Sequence, residues 1–309
     1  INQGNDSSSI LTNLELELGK ISAFCGTNIK SIKNISDAVD EAVEETTLAS
    51  LSKGKFIDTG IKALDEITGG LFPGQLTTIA ARQGLGKSSL ALSIAMNVAI
   101  NNEIKRKVGI FTLEMSSTEY VNRMISALSG IDNLRLKKGI IYKDERSKYE
   151  EAVNKIKDSG NIVIDDTSNI TMSMIRNKLR KMKEWGIEVA VIDQMGLIAD
   201  RFPNEQEHVR VDRLSYLLKN LAREFDISII NIQQMNRSIE SIQRVKFKEP
   251  QTSDLAQAGE SSPDLIIMIT HEMQNKIILR SKLWIVKNRN GAMGSVDVKF
   301  DAKRTLFRD

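Results

Sequence analysis

Eight consecutive residues constrain this chain more than any others: Ala81-Arg82-Gln83-Gly84-Leu85-Gly86-Lys87-Ser88. They follow the apolar run Leu76–Ala80 and open a helical pattern from Ser89 to Ile100, so the segment reads strand, tight loop, helix. Successive backbone N–H groups can converge on one anion only where the chain curls sharply, and Gly84 and Gly86 permit that curl. The first turn of the helix adds its positive end. Lys87 then reaches the β- and γ-phosphates of a nucleotide, and the Ser88 hydroxyl is offered to Mg²⁺. Ala81, Arg82, Gln83, Gly84, Leu85, Gly86, Lys87, Ser88 and Ser89 are therefore the expected nucleotide-binding loop, for ATP or another NTP with Mg²⁺. Ala81 stands where the general pattern has Gly, which is acceptable if its φ stays negative. Upstream, Thr68-Gly69-Gly70 and Pro73-Gly74 read as turns leading into the strand.

The rest of the chain supplies a sheet for such a loop. Short β-branched runs occur at Leu76–Ala80, Val108–Leu113, Ile162–Ile164, Val189–Ile192, Ile227–Ile232, Leu265–Ile269, Leu283–Val286 and Val296–Phe300. Helical patterns separate most of the early ones, most clearly over 206–225, where Leu214, Leu217, Leu218, Leu221, Ala222 and Phe225 form one apolar stripe. This alternation predicts an α/β fold, a mostly parallel twisted sheet flanked by helices. The last strands lack intervening helices and should form an antiparallel C-terminal extension.

Ahead of this domain, residues 34–51 carry Ile35, Ala38, Val39, Ala42 and Val43 on one helical face and Asp37, Asp40, Glu41, Glu44 and Glu45 on the other. The expected division is 1–54, a polar segment plus this amphipathic helix, and 55–309, the nucleotide-binding domain. The helix packs either on its own core or on a neighbouring subunit, and the pattern leaves both open.

Composition limits the remaining classes. At 41% hydrophobic and 27% charged, 309 residues can bury a sizeable core. The net charge of +3 does not point to nucleic acid, so any grip on a polyanion must be local. The apolar runs are too short to span a bilayer and no basic-then-apolar leader opens the chain, which makes a cytoplasmic protein with no membrane partner the expectation. Cys25 is the only cysteine, so an intramolecular disulfide is excluded. His208 and His271 have no metal spacing and receive no role, while Trp185 and Trp284 fit helix and strand patterns as core residues.

A nucleotide hydrolase needs further acids. Val189-Ala190-Val191-Ile192-Asp193 is an apolar strand ending in a carboxylate, suited to supporting Mg²⁺. The strand Lys107–Leu113 runs into Glu114, which a parallel sheet would place on the same edge as the loop, facing the γ-phosphate as a base for water.

At this point the motifs together resemble one family. Thr59-Gly60, Leu64-Asp65, Thr68-Gly69-Gly70-Leu71, Pro73-Gly74 and Gly86-Lys87-Ser88 come first, then Leu113-Glu114-Met115-Ser116 with Arg123 nine residues after the Glu. Val191-Ile192-Asp193, Gln234-Met235-Asn236-Arg237, Ser253-Asp254-Leu255 with Gly259, and Lys287-Asn288-Arg289-Asn290-Gly291 with Gly294 complete the series. In this order and spacing they resemble the motor domain of DnaB-type ring-forming replicative DNA helicases of bacteria and phages, from about residue 55 to the last.

The resemblance implies a RecA-like P-loop NTPase with an N-terminal linker helix. It implies a Mg²⁺-dependent ATP hydrolase that works at subunit interfaces, translocates on single-stranded DNA and unwinds duplex, expected in the 5′-to-3′ sense. The partners implied are single-stranded DNA, copies of the same chain in a hexamer, and a helicase loader and primase. Residue by residue, Lys87 and Ser88 bind phosphate and metal, Glu114 activates water, Asp193 supports Mg²⁺, and Arg123 joins the phosphate network. Gln234 matches the sensor of nucleotide state. Arg289 matches an arginine finger delivered into the neighbouring subunit, with Lys287 its companion.

For these two a basic hairpin turn at Asn290-Gly291 is the plainer reading, and both can hold. Candidate DNA contacts are Arg201, Arg210 and Arg213 in one loop and Arg237, Arg244, Lys246, Lys248 and Gly259 in another. Ala256-Gln257-Ala258 stands where the family usually has Arg-Glu-Ser, which leaves Gly259 and backbone N–H groups to serve there. The family's N-terminal collar finds no match, implying a cut chain or a different arrangement. A RecA-like recombinase or a non-motor ring scaffold are the competing functions.

Overall fold

The computed structural model describes residues 33–48, 56–234, 261–275 and 277–309. The chain divides into two units, residues 1–54 and 55–309. In the first, α1 (Ile35–Leu48) is the amphipathic helix, opened by the Asn34 side chain, whose Oδ1 accepts from Asp37 N at 2.9 Å. Ile35, Val39 and Val43 on its apolar stripe are exposed.

In the second unit, burial decides which apolar runs become strands. β1 (Leu76–Ala81) is buried at every position. Around it assemble β2 (Lys107–Thr112), β3 (Ile162–Asp165), β4 (Ile187–Asp193) and β5 (Ser228–Gln234), then β6 (Leu265–Gln274), β7 (Ile277–Asn288), β8 (Gly294–Asp301) and β9 (Leu306–Arg308). Their order in the sheet is β3-β2-β4-β5-β1-β6-β7-β8-β9. From β3 to β6 neighbours are parallel, and from β6 to β9 antiparallel. The α/β sheet with its antiparallel extension is thus as the sequence predicts.

Alternate residues of the central strands feed two layers. Ile79, Val108, Ile110, Val191 and Ile230 pack with Leu90, Ala91 and Ile94 of α3 (Lys87–Met96), which follows the short α2 (Lys62–Thr68). Phe111, Ala190, Ile192 and Ile229 turn to the other face. There they meet Ile175 and Leu179 of α7 (Met172–Glu184) and Leu214, Leu218 and Leu221 of α8 (Glu207–Phe225). The period-2 alternation of a strand covered on both sides produces this division. Between β2 and β3 lie α4 (Ser117–Ser129), α5 (Asn133–Lys137) and α6 (Arg146–Ser159).

Three expectations need correction. The β6–β7 hairpin extends well beyond Ile269 and begins again at Ile277 rather than Leu283, because ladder hydrogen bonds continue through charged residues such as Glu272 and Arg280 that no apolar run marks. Trp185 is 57% exposed at the end of α7, not in the core. The β7–β8 connection spans residues 289–293 rather than a two-residue Asn-Gly turn, and Gly291 lacks the positive φ such a turn requires. Gly291 is needed for space instead: a Cβ there would lie 2.8 Å from Asn288 Nδ2 and 3.2 Å from Ile67 O.

Candidate functional site

Because β1, β2, β4 and β5 are parallel, their C-terminal ends share one edge, and the candidate site assembles there. Ala81 ends β1 and pairs in register with Gln234, the exposed last residue of β5. Thr112, just before Leu113 and Glu114, pairs with Asp193 at the end of β4. The phosphate loop leaves β1 through Gly84 (φ +81°) and Gly86 (φ +83°) and enters α3 at Lys87. Gly86 supplies no side-chain cap, so the first N–H groups of α3 are left for an anion. Ala81 is not among the positive-φ residues, which is the condition its place in the motif demanded.

Lys87 is buried and folds back over the loop, its Nζ donating to Ala81 O at 3.1 Å and Arg82 O at 3.0 Å. Burial pulls its ammonium below the ordinary lysine range, opposed by the charges of Glu114 and Asp193. Ser88 Oγ donates to Asp193 Oδ1 at 3.1 Å. Asp193 is fully buried, and burial raises its carboxyl to about 6 against the favourable Ser88 bond, with Glu114 adding to the rise and Arg123 and Lys87 opposing it. Its Oδ2 has no hydrogen-bond partner. A hydroxyl and a buried carboxylate oxygen form an all-oxygen donor set, and no group of three His, Cys, Asp or Glu clusters for a metal among the described residues. That sparse set fits Mg²⁺, which keeps most of its shell for water and substrate phosphates.

Glu114 is exposed beside this pair, close enough for its charge to act on both Lys87 and Asp193. Arg123 comes from α4, whose start is fixed by Ser116 Oγ accepting from Glu119 N at 3.2 Å and by Asp166 Oδ2 accepting from Ser117 N at 2.9 Å. Arg123 lies 3.5 Å from Glu119, and its Nε is buried without a hydrogen-bond partner. One turn before it, Tyr120 is fully buried with an unpartnered hydroxyl and senses Asp193 and Arg123. Burial pushes that phenol well above its ordinary value. Sequence reasoning missed Tyr120, although its spacing of three from Arg123 places both on one helical face.

His271 is a second residue the motifs did not reveal. Its Nε2 lies 3.2 Å from Leu85 O of the phosphate loop and its Nδ1 2.9 Å from Ser281 Oγ. A carbonyl only accepts, so Nε2 carries the proton and Nδ1 accepts from the Ser281 hydroxyl. Burial lowers the imidazole pKa, partly opposed by the Leu85 bond. The ring stacks on Phe300 at 5.2 Å, and Phe300 on Phe307 at 4.3 Å. These aromatic rings fill the space beneath Gly86, where a Cβ would come within 3.0 Å of both phenylalanines.

Arg289 and Lys287 are elsewhere. Arg289 Nη1 reaches Asp264 Oδ1 at 3.3 Å and its Nη2 donates to Ser261 O at 2.8 Å. Lys287 Nζ also donates to Ser261 O, at 3.1 Å. The Asp264 carboxylate accepts from Leu76 N, so this cluster sits at the entry of β1 while the phosphate loop leaves its exit. Six residues at ~3.3 Å rise each put those ends on the order of 16 Å apart.

Among the proposed DNA contacts, Arg210 is internal and Arg213 is half-buried. Arg210 is 4% exposed and donates to Glu207 and to the carbonyls of Gly196, Ile198 and Asp200, while Arg213 is held by Glu205 over the Phe202 ring. Both anchor the loop after β4, and burial removes Arg210 as a surface cation. Arg201 remains exposed, paired with Glu207 at 2.6 Å. Arg237, Arg244, Lys246, Lys248 and Gly259 lie outside the described residues, as do Cys25 and the Ser253-Asp254-Leu255 motif.

Comparison with known proteins places this geometry. Residues 56–309 match the family model of the DnaB-like helicase C terminal domain. Replicative DNA helicase DnaB of Geobacillus stearothermophilus is 33% identical over 289 residues, covering 90% of this chain and 62% of the relative. Replicative DNA helicase DnaC of Bacillus subtilis (strain 168) is 32% identical, covering 91% and 63%. The chain thus spans about three fifths of the length of these curated relatives. Among solved structures, one described as an ATPase domain superposes with a TM-score of 0.79 at 26% identity, covering 90% of this chain and 99% of that one. A DnaB-like replicative helicase, solved in a study of its interactions with primase, gives 0.75 at 26% identity, covering 95% and 75%. No helix among the described residues is long and apolar enough to cross a membrane.

Proposed function

The chain belongs to the DnaB-like helicase C-terminal domain family, and from that premise we propose that it is the ATP-hydrolysing motor of a ring helicase acting on single-stranded DNA. The observation that carries this reading is the split of the functional residues between the two ends of β1. The P-loop, Ser88, Asp193 and Glu114 occupy one end, and Arg289 with Lys287 occupies the other. One chain therefore presents a phosphate site without a cationic finger, and a finger without a phosphate site. Copies arranged head to tail would complete each site, and such an arrangement forms a ring where the rotation between copies closes.

In the completed site, Mg²⁺ and the triphosphate, when bound, supply the electrophilic phosphoryl group and its charge neutralisation. The loop N–H groups and Lys87 hold the anion. Lys87 leaves its two carbonyl contacts to do so, and the negative charges of Glu114 and Asp193 favour its ammonium form against the effect of burial. Ser88 and Asp193 would hold the metal on their side-chain oxygens. Glu114, exposed next to them, orients a water and takes its proton. Gln234, paired beside Ala81 at the end of β5, reports phosphate state to the segment that follows it, with Arg237, Arg244, Lys246, Lys248 and Gly259, which we assign to single-stranded DNA together with Arg201. Arg123 stabilises the Glu114–Asp193 side of the site. The partner's Arg289, with Lys287, supplies positive charge to the transferring group, a contribution worth roughly 10³–10⁵ in rate for fingers delivered in trans. A loader and primase are the further partners proposed, and α1, with its exposed apolar stripe, is proposed as the linker that docks on the next copy.

The test mixes two dead variants. Lys87→Ala should abolish hydrolysis, and so should Arg289→Ala. Mixed oligomers of the two should recover measurable ATPase, because some interfaces then combine an intact loop with an intact finger. Wild-type-like turnover by Lys87→Ala alone, or no recovery in demonstrably mixed oligomers, would refute the assignment.

A further inference from the structure

Asp264 is a buried carboxylate, 6% exposed, shared by two cations from different elements. Its Oδ2 accepts from Leu76 N at 2.9 Å and from Lys219 Nζ of α8 at 2.6 Å, while Oδ1 faces Arg289 Nη1 at 3.3 Å. Lys219 is itself fixed by donating to Gly74 O at 2.8 Å. The distances rank the two partners. Lys219 sits at the short length of a charge-assisted hydrogen bond and takes most of the carboxylate's charge. Arg289 is left with a long contact at a half-exposed position, 50% for its side chain. Its second hold is the Ser261 carbonyl at 2.8 Å, and its backbone N is pinned to Asp264 O at 2.9 Å. The backbone of the finger is thus fixed while its guanidinium is held loosely, and Lys219 sets how loosely.

We propose that Asp264 and Lys219 are positioning residues that stow the Arg289 guanidinium on its own chain and set how readily it leaves for the phosphate site of a second copy. This rests on the reading that Arg289 acts in trans. Asp264 and Ser261 engage Nη1 and Nη2, so a triphosphate binding that same edge of the guanidinium competes with both contacts. A carboxylate already neutralised by Lys219 yields the arginine easily. The same carboxylate without Lys219 would retain it.

That logic makes two substitutions in one cluster act in opposite directions. Asp264→Asn keeps an oxygen for Leu76 N–H but removes the charge that holds Arg289. Lys219→Met leaves that charge to Arg289 alone, with Lys219→Gln as the alternative should the Met variant not fold. We expect DNA-independent ATPase of the full chain, measured at protein concentrations where it assembles, to rise about two- to fivefold in Asp264→Asn and to fall by a similar factor in Lys219→Met, the scale of a part-exposed ion pair.

In oligomers mixed from Lys87→Ala and Arg289→Ala chains, both shifts should appear in the recovered ATPase when the substitution is carried by the Lys87→Ala chain, which supplies the finger, and neither when it is carried by the Arg289→Ala chain. A merely structural cluster would lower activity in both variants, and thermal melts would show the loss. Same-direction changes, or shifts that appear when the Arg289→Ala chain carries the substitution, overturn the proposal. Failure of the trans reading itself would show separately, as no recovery when Arg289→Ala and Lys87→Ala chains are mixed.

Discussion

Replacing Gly86 by Ala should damage this protein more than replacing Gly84, although both occupy the same loop with nearly the same backbone. Their φ angles are +83° and +81°, so each Ala bears the left-handed penalty of about 1–2 kcal/mol for a residue with a Cβ. The surroundings differ. A Cβ at Gly84 meets nothing within 4 Å, whereas at Gly86 it would sit 3.0 Å from Phe300 Cζ and 3.0 Å from Phe307 Cε2. Phe307 is 1% exposed and stacked on Phe300, which stacks on His271, so the rings cannot swing away cheaply. Overpacking of this kind adds about 1–3 kcal/mol.

The expected losses are thus about 1–2 kcal/mol for Gly84→Ala and about 2–5 kcal/mol for Gly86→Ala, read by urea denaturation at constant m-value. Gly86 directly precedes Lys87 and Ser88, so nucleotide affinity, followed by fluorescence titration, should also fall further in the second variant. Phe300→Leu removes ring atoms and should be less harmful in the Gly86→Ala background than in wild type, a coupling of about 1 kcal/mol or more. Equal destabilisation by the two alanines, or additivity with Phe300→Leu, would show that the ring stack does not support the loop.

Two further outcomes follow from buried charges. Asp65 is raised to about 6 by burial, in spite of accepting hydrogen bonds from Thr59 and Gly60, so its proton is held more tightly in the folded chain than in the unfolded. The stability this contributes is complete below the unfolded carboxyl value near 3.8 and is lost as pH rises through about 6. Asp65→Asn should flatten the stability-versus-pH curve by on the order of 2 kcal/mol across that window, and an unchanged curve would contradict the burial argument. Arg210→Met removes a buried guanidinium bonded to three backbone carbonyls and Glu207, and should cost about 3–5 kcal/mol while leaving the salt dependence of DNA binding unchanged. A reduced salt slope with little loss of stability would return Arg210 to the DNA surface.

The amino-acid sequence alone determined whatever depends on local geometry and on the edge shared by parallel strands. The order strand, Gly84-Leu85-Gly86, helix marks the candidate phosphate loop, because glycines at positive φ let successive N–H groups converge. Apolar strands ending in Asp193 and running into Glu114 placed both acids at the same edge once the sheet was known to be parallel. What the sequence could not decide were the contacts between segments far apart in the chain. His271 reaches Leu85 across 186 positions, and Lys219 and Leu76 meet at Asp264 across 45 and 188. Tyr120 belongs to no motif, and only the fold brings its buried hydroxyl under the influence of Asp193.

Local signals misled where burial was the deciding variable. Arg210 reads as a loop cation but lies inside, and Trp185 reads as core but lies outside. The separation of Arg289 from the phosphate loop by the length of β1 is also a tertiary fact. Spacing along a chain carries no information about which end of a strand a distant loop returns to, and that is set by the antiparallel pairing of β7 with β6.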